Sequence, residues 1–253
     1  MMSRRPVAAL VIALSLAACS KKAADTNAAP LPSGPVAAVA PPAGKEWTDV
    51  ASMTPEGGVR MGNPDAPIKL VEYASLTCPH CKDFTAEGAE PIQAKFVKTG
   101  KVSWEYRPFV LNSYDIPAFL LTRCRGAEPF FKLAEQAYAA QAEWVGKAMA
   151  LTPAQQADLQ GTEQAQLFKK MASYMGLDAF FRARGISAAD QDKCLSDVSA
   201  AEALANNTNI ATTEKNVTGT PTFFINDELW TVPNTTSPVA PQLIARLTAL
   251  AGS

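Results

Sequence analysis

Cys78-Pro79-His80-Cys81 decides the reading of this chain. Two cysteines at this spacing can form a disulfide that opens and closes. The stretch before them, Ile68-Lys69-Leu70-Val71-Glu72-Tyr73-Ala74, is an apolar run bounded by turn residues and reads as a buried strand. The stretch after them, Lys82-Asp83-Phe84-Thr85-Ala86-Glu87, reads as the first turns of a helix. Cys78 therefore falls at a helix N-terminus, where unpaired backbone N–H groups and the helix dipole favour negative charge. A thiol placed there loses its proton well below the free value of about 8.5. His80, the only histidine in the chain, stands between the two cysteines and can offer a donor or a positive charge to the same sulfur. A stabilised thiolate is a good leaving group, so a Cys78–Cys81 disulfide is expected to be readily attacked and oxidising.

Metal binding finds less support. A structural zinc site needs about four ligands, usually from two such motifs. Here only Cys124, Cys194 and His80 remain as candidates, at irregular spacings. Tethered delivery of copper(I) would suit a pair of soft sulfurs, but Met53 and Met61 precede the motif only distantly. No metal and no cofactor is expected.

The 253 residues leave room for one large domain or two small ones, and 47% hydrophobic content is enough for a real core. A net charge of −1 gives no reason to expect nucleic-acid binding. Arg4 and Arg5 precede an apolar run over 7–16 and the small residues Ala17 and Ala18. That is the pattern of a secretory signal peptide over 1–18, too short to be a spanning helix. Leu16-Ala17-Ala18-Cys19 resembles the bacterial lipobox, which implies cleavage before Cys19 and its lipidation. An ordinary signal peptide with a stray cysteine nearby is the alternative. Residues 19–45 are rich in proline and alanine without apolar periodicity, and read as a semi-extended tether reaching up to about 80 Å. The chain is thus expected on the periplasmic side of a bacterial envelope, anchored by lipid to the inner or the outer membrane.

Five cysteines is an odd number for an exported protein. With Cys19 lipidated and Cys78 paired with Cys81, Cys124 and Cys194 remain as a possible structural disulfide. Two buried free thiols are the alternative.

The folded domain is expected over 46–253. Gly88 and Pro91 suggest a break or kink in the helix after the cysteines. Lys101-Val102-Ser103-Trp104-Glu105-Tyr106-Arg107 alternates like a half-buried strand continuing to Leu111, which implies a βαβ unit with a parallel pair. Over about 115–206 the composition turns helical, with punctuation at Thr152-Pro153, Gly176 and Gly185 and a capping start at Ser187. Four to six helices and no strand are expected there, with Phe130, Phe131, Tyr138, Phe168, Tyr174, Phe180 and Phe181 as their core. Strand signals return at 217–226, followed by a turn at Asp227-Glu228, a second hairpin arm at 229–232 and a closing helix over about 241–250.

The CxxC pair at a helix start, followed far downstream by Gly219-Thr220-Pro221-Thr222-Phe223-Phe224, resembles the thioredoxin superfamily. The Cys-Pro-His-Cys choice and the helical block between the motifs are similar to its DsbA branch, the thiol-disulfide oxidoreductases of bacterial envelopes. The resemblance implies an α/β thioredoxin fold with an inserted all-helical domain, and a protein that introduces disulfides into reduced exported proteins. It implies that Cys78 is the nucleophile, Cys81 its resolving partner, Pro79 and His80 the residues that tune the thiolate, and Glu72 a buried acid serving Cys81. It implies that Pro221 is a cis-proline and that Thr220 beside it pairs with substrate. A DsbB-like quinone enzyme is the implied reoxidant. The absence of a recognisable dimerisation domain favours a monomer over the isomerase type. Thr220 stands where general oxidases carry valine and some isomerase relatives carry threonine, so an isomerase or reductase kept reduced is the nearest alternative.

Overall fold

The computed structural model describes residues 30–252. The expected signal peptide, Cys19 and the first part of the tether lie outside them.

Strands β1 (Ala51–Met53) and β2 (Val59–Met61) form a hairpin that the sequence pattern does not announce, because three residues are too few to show alternation. The apolar run is β3 (Ile68–Ala74), followed by α1 (Pro79–Ile92) and then β4 (Val102–Pro108). β3 and β4 are parallel, with Ile68 opposite Val102 and Ala74 opposite Pro108. β4 stops short of the expected Leu111, at a proline that has no N–H to continue the ladder. The hairpin of β5 (Thr222–Ile225) and β6 (Glu228–Trp230) completes a sheet of order β1-β2-β4-β3-β5-β6. Its turn lies one residue earlier than expected, at Asn226 and Asp227, which carry φ of 51° and 65°. Asn and Asp tolerate that region, and such a turn matches the strand twist.

Successive side chains of β3 point to opposite faces. Ile68, Leu70 and Ala74 join Phe84 and Ile92 of α1 and Leu243 and Leu247 of α10 (Val239–Ala251) in one core. Val71 and Tyr73 pack on the other face with Phe109, Ala211, Val217 and Phe224. Glu72 shares the periodicity of the first set and so enters the core beneath α1. Each fully buried Ile or Leu around it contributes about 1.5–3 kcal/mol, which lets the fold tolerate one costly carboxyl.

Pro91 does not break the helix. α1 carries it in its last turn and continues as a π-helical segment, Gln93–Val97. A proline has no N–H for the carbonyl one turn back, and the wider π spacing accommodates the gap. Gly88 serves close packing: a Cβ there would stand 3.1 Å from the Cβ of Ala240.

The helical block contains α2 (Asp115–Thr122), α3 (Phe130–Ala139), α4 (Gln141–Met149), α5 (Pro153–Leu159), α6 (Gln164–Met175), α7 (Leu177–Arg182), α8 (Ala188–Leu195) and α9 (Val198–Lys215). Eight helices replace the four to six expected, because several junctions are a single residue. Ala140 separates α3 from α4, and Gly176, at φ 74°, separates α6 from α7. α9 runs past the expected limit of 206 because its second half returns to the sheet, where Ala211 joins the Val71–Tyr73 core. Among the expected core aromatics Tyr174 and Phe180 are only half-buried.

Residues 30–45 depart from the free tether expected of them. They lie along the domain without forming helix or strand. Val36 N–H donates to Ala251 O (3.1 Å), Val39 N–H donates to Thr99 O (3.0 Å), and Trp47 Nε1 donates to Val39 O (2.7 Å). Leu31 and Val36 pack against the main core. An extended segment of this kind docks through isolated backbone bonds and leaves no periodicity to read.

Candidate active site

Cys78 is the N-cap residue of α1, with extended backbone (φ −78°, ψ 121°), and Pro79 occupies the first helical turn, where a missing N–H costs nothing. Both Cys78 and Cys81 are free thiols and both are buried. Their environments push them in opposite directions. The Cys81 thiol, above all, holds Cys78 down to about 5. Burial opposes this, while the Thr220 side chain and the backbone N–H groups of Cys81 and His80 reinforce it. Cys81 is pushed well up, first by burial, then by the hydrogen bond and charge of Cys78 and the charge of Glu72.

His80 favours the Cys78 thiolate through its backbone. Its imidazole is exposed and makes no hydrogen bond to Cys78, contrary to the donor role expected of the ring.

Glu72 is 1% exposed, and Trp104 Nε1 donates to its Oε2 at 3.1 Å while Oε1 has no partner. Burial is the main cause that pushes the carboxyl up to about 8, against the Trp104 bond and with a smaller contribution from the Cys78 charge. At neutral pH it is therefore an acid holding a proton near Cys81. Tyr106 and Tyr138 line the same interior, sharing a hydroxyl–hydroxyl bond of 2.8 Å.

The Thr220–Pro221 peptide is cis, and it brings Thr220 against the cysteines. Cys78 Sγ donates to Thr220 O at 3.3 Å. A groove of about 450 Å³ beside this contact is lined by His80, Phe84, Glu87, Thr220, Pro221 and Val239. The larger cavity, about 720 Å³ along α1 and α3, includes neither cysteine.

Cys124 and Cys194 are bonded to each other, with Cα atoms 5.7 Å apart, joining the end of α2 to α8 across 70 residues of chain. Among the described residues no group of three or more His, Cys, Asp or Glu side chains is placed to hold a metal. No helix among them is long and apolar enough to cross a membrane.

Sequence reasoning did not single out Trp104, Tyr106, Asp115 or Gln141 for the site, and it placed Tyr138 only in the helical core. Asp115, Tyr138 and Gln141 reach the loop before the helix, Trp104 reaches Glu72 and Tyr106 bonds Tyr138, all through tertiary contacts, so no local spacing marks them.

A dithiol at a helix start, beside a cis-proline that precedes the neighbouring strand β5 of a mixed sheet, is the arrangement of a thioredoxin fold, here with a helical insertion. The chain belongs to the thioredoxin family: the family model described as Thioredoxin matches residues 54–243. It is 34% identical to a protein-disulfide isomerase from Novosphingobium aromaticivorans of known structure, covering 74% of this chain and 96% of that one with a TM-score of 0.68. The crystal structure of Wolbachia pipientis alpha-DsbA1 shares the fold, at 22% identity and a TM-score of 0.59 over 79% of this chain and 94% of that one. A Rickettsia bellii protein, provisionally named a protein-disulfide oxidoreductase, is 28% identical over 172 residues, 68% of this chain. The chain spans just over half of that relative, 58% of its length.

Proposed function

We propose that this chain is a protein thiol-disulfide oxidoreductase that passes the Cys78–Cys81 disulfide to reduced exported proteins. The observation that carries the reading is the free Cys78–Cys81 pair at the start of α1, with Cys78 Sγ 3.3 Å from the carbonyl of Thr220 in a cis Thr220–Pro221 peptide, in surroundings that lower Cys78 and raise Cys81. A substrate thiolate attacks Cys78 Sγ, the Cys78–Cys81 bond breaks, and Cys81 leaves with the electron pair. Glu72, protonated below about 8, is the nearby acid able to return a proton to the buried Cys81 sulfur. A second substrate thiolate then attacks the substrate sulfur of the mixed disulfide, and Cys78 departs as a stabilised thiolate. The substrate gains a disulfide and the dithiol carries away its two electrons.

The groove beside Thr220 and Pro221 suits an extended segment of substrate, which could pair with the Thr220 backbone. The signal pattern and Cys19 support a lipid-anchored protein on the periplasmic side of the envelope, acting as a monomer and reoxidised by a DsbB-like quinone enzyme. Incorporation of labelled lipid into the wild type, and its loss in Cys19→Ala, tests the anchor.

Isomerase activity is the second reading. It is favoured by the isomerase name of the Novosphingobium relative and by Thr220 before the cis-proline. Glutathione equilibration of the full chain tests the redox direction. A potential above about −180 mV supports disulfide donation, whereas one near about −270 mV makes the protein a reductant and overturns the oxidase reading.

A further inference from the structure

The loop that delivers Cys78 to the helix is held by the inserted helical block. Tyr138 of α3 donates its hydroxyl to Ser75 O at 3.0 Å. Asp115 of α2, fully buried, accepts from Thr77 N–H at 3.0 Å and from the Ser75 hydroxyl at 2.8 Å. Gln141, at the start of α4 and 5% exposed, spends its side-chain nitrogen on two carbonyls, Leu76 O at 2.8 Å and Cys78 O at 2.9 Å. Facing two acceptors fixes that end of the amide as its nitrogen.

The carbonyl of Cys78 is also the acceptor of the first helical bond, from Lys82 N–H at 3.2 Å. Gln141 therefore grips the peptide plane on which α1 begins, and grips the carbonyl two residues before it. With Leu76 O and Cys78 O both tied, the Cys78 backbone is held in its extended N-cap conformation, which keeps the sulfur at the N-terminus of α1. We propose that Gln141 is a positioning residue for the nucleophile, through which the helical insertion sets how strongly the helix start stabilises the Cys78 thiolate. The proposal rests on the reading of Cys78 as the attacking sulfur. Of the titratable groups around this sulfur, Cys81 and Glu72 are the ones its charge reaches, and the exposed His80 imidazole makes no hydrogen bond to it. Gln141 is neutral, so it acts by geometry and adds no charge.

The fold supplies a matched control. Gln191, 4% exposed, uses the same atom to bridge Asp178 O (3.0 Å) and Ile186 O (2.9 Å), remote from Cys78 and Cys81 in sequence and bonded only within the insertion. Gln141→Leu and Gln191→Leu each strip two carbonyls of a donor, so both should lower the urea midpoint. Only Gln141→Leu should move the Cys78 ionisation, followed in the reduced full chain by thiolate ultraviolet absorbance against pH. The expected rise is about one pH unit, tenfold in the ionisation constant. A midpoint in Gln141→Leu equal to wild type, with stability lowered as in Gln191→Leu, would reduce Gln141 to a structural role and overturn the proposal. Should the leucine variant not fold, Gln141→Asn decides by the same titration, since it keeps the amide but cannot span both carbonyls. A wild-type midpoint near the free value of about 8.5 would overturn this proposal and the oxidase reading together, whereas a low midpoint unchanged by the variant overturns this proposal alone.

Discussion

Cys78 Sγ lies 3.3 Å from the carbonyl oxygen of Thr220, a residue 142 positions further along the chain. The two polar groups of Thr220 act on this sulfur in opposite senses. The carbonyl accepts from the thiol and so favours the protonated form. The hydroxyl, buried and without a hydrogen-bond partner among the described residues, favours the thiolate. An incoming substrate strand that engages the Thr220 backbone would occupy that carbonyl and leave the thiolate-favouring contacts in place.

Alkylation of the reduced protein should report the asymmetry of the pair. The rate at Cys78 is expected to follow its thiolate fraction, with a midpoint near the value of about 5 set by its surroundings. Cys81, buried and pushed well up, should stay unmodified at neutral pH in Cys78→Ser. Mass-mapped iodoacetamide labelling across pH checks both. Equal labelling of the two cysteines at neutral pH would remove the basis for assigning their roles. The raised acidity of Cys78 also stabilises the reduced fold: that contribution is fully present above the range of the unfolded thiol, near 9, and is lost as pH falls through about 5.

Glu72→Gln should change how stability depends on pH. The carboxyl rises from 4.5 to about 8 on folding. The folded chain therefore keeps a proton that the unfolded chain has shed, and stability falls as pH climbs between those values. At about 1.4 kcal/mol per pH unit, the ceiling of the effect is ~5 kcal/mol. The glutamine variant has no such loss, so its urea midpoint relative to the reduced wild type should rise steadily from about pH 4.5 to about pH 8. A constant difference across that window would mean Glu72 ionises normally.

Replacing Cys124 and Cys194 together by serine should lower stability by about 4 kcal/mol, from the loop-closure entropy of a 70-residue separation. The potential of the Cys78–Cys81 pair should stay as in wild type. Denaturant unfolding and glutathione equilibration of the double variant measure the two effects separately.

Gly100→Ala should release the segment 30–45. Gly100 has φ of +71°, and a Cβ there would stand 2.7 Å from Val39 O and 2.6 Å from Trp47 Nε1. The backbone carbonyl cannot step aside without giving up its bond from Trp47. A loss of about 1–3 kcal/mol is expected, together with faster proteolytic cleavage within 30–45. Unchanged cleavage would show that the segment stays docked despite the new methyl group.

The local grammar of the chain carried much of this fold. The strand–CxxC–helix order, the parallel β3–β4 pair, the downstream hairpin and the helical block all rest on periodicity, turn residues and capping, which act over a few residues and leave their mark in the sequence. Pro91 shows the limit of such marks: a residue that usually breaks a helix is absorbed by a π-helical segment because the surrounding core holds α1 in line. Segment 30–45 shows another limit, since a few isolated backbone bonds dock it without any apolar period.

The sequence by itself determined that Cys78 begins a helix, that Glu72 sits in an apolar strand, and that Thr220-Pro221 stands before another strand. Only the tertiary structure decided that Thr220 meets Cys78, that Trp104 donates to the Glu72 carboxyl, and that Asp115, Tyr138 and Gln141 hold the loop between strand and helix. The reason is physical. Secondary structure follows from interactions within a turn or two of chain, whereas the acidity and position of a buried sulfur depend on burial and hydrogen bonds from residues as far away as 142 positions.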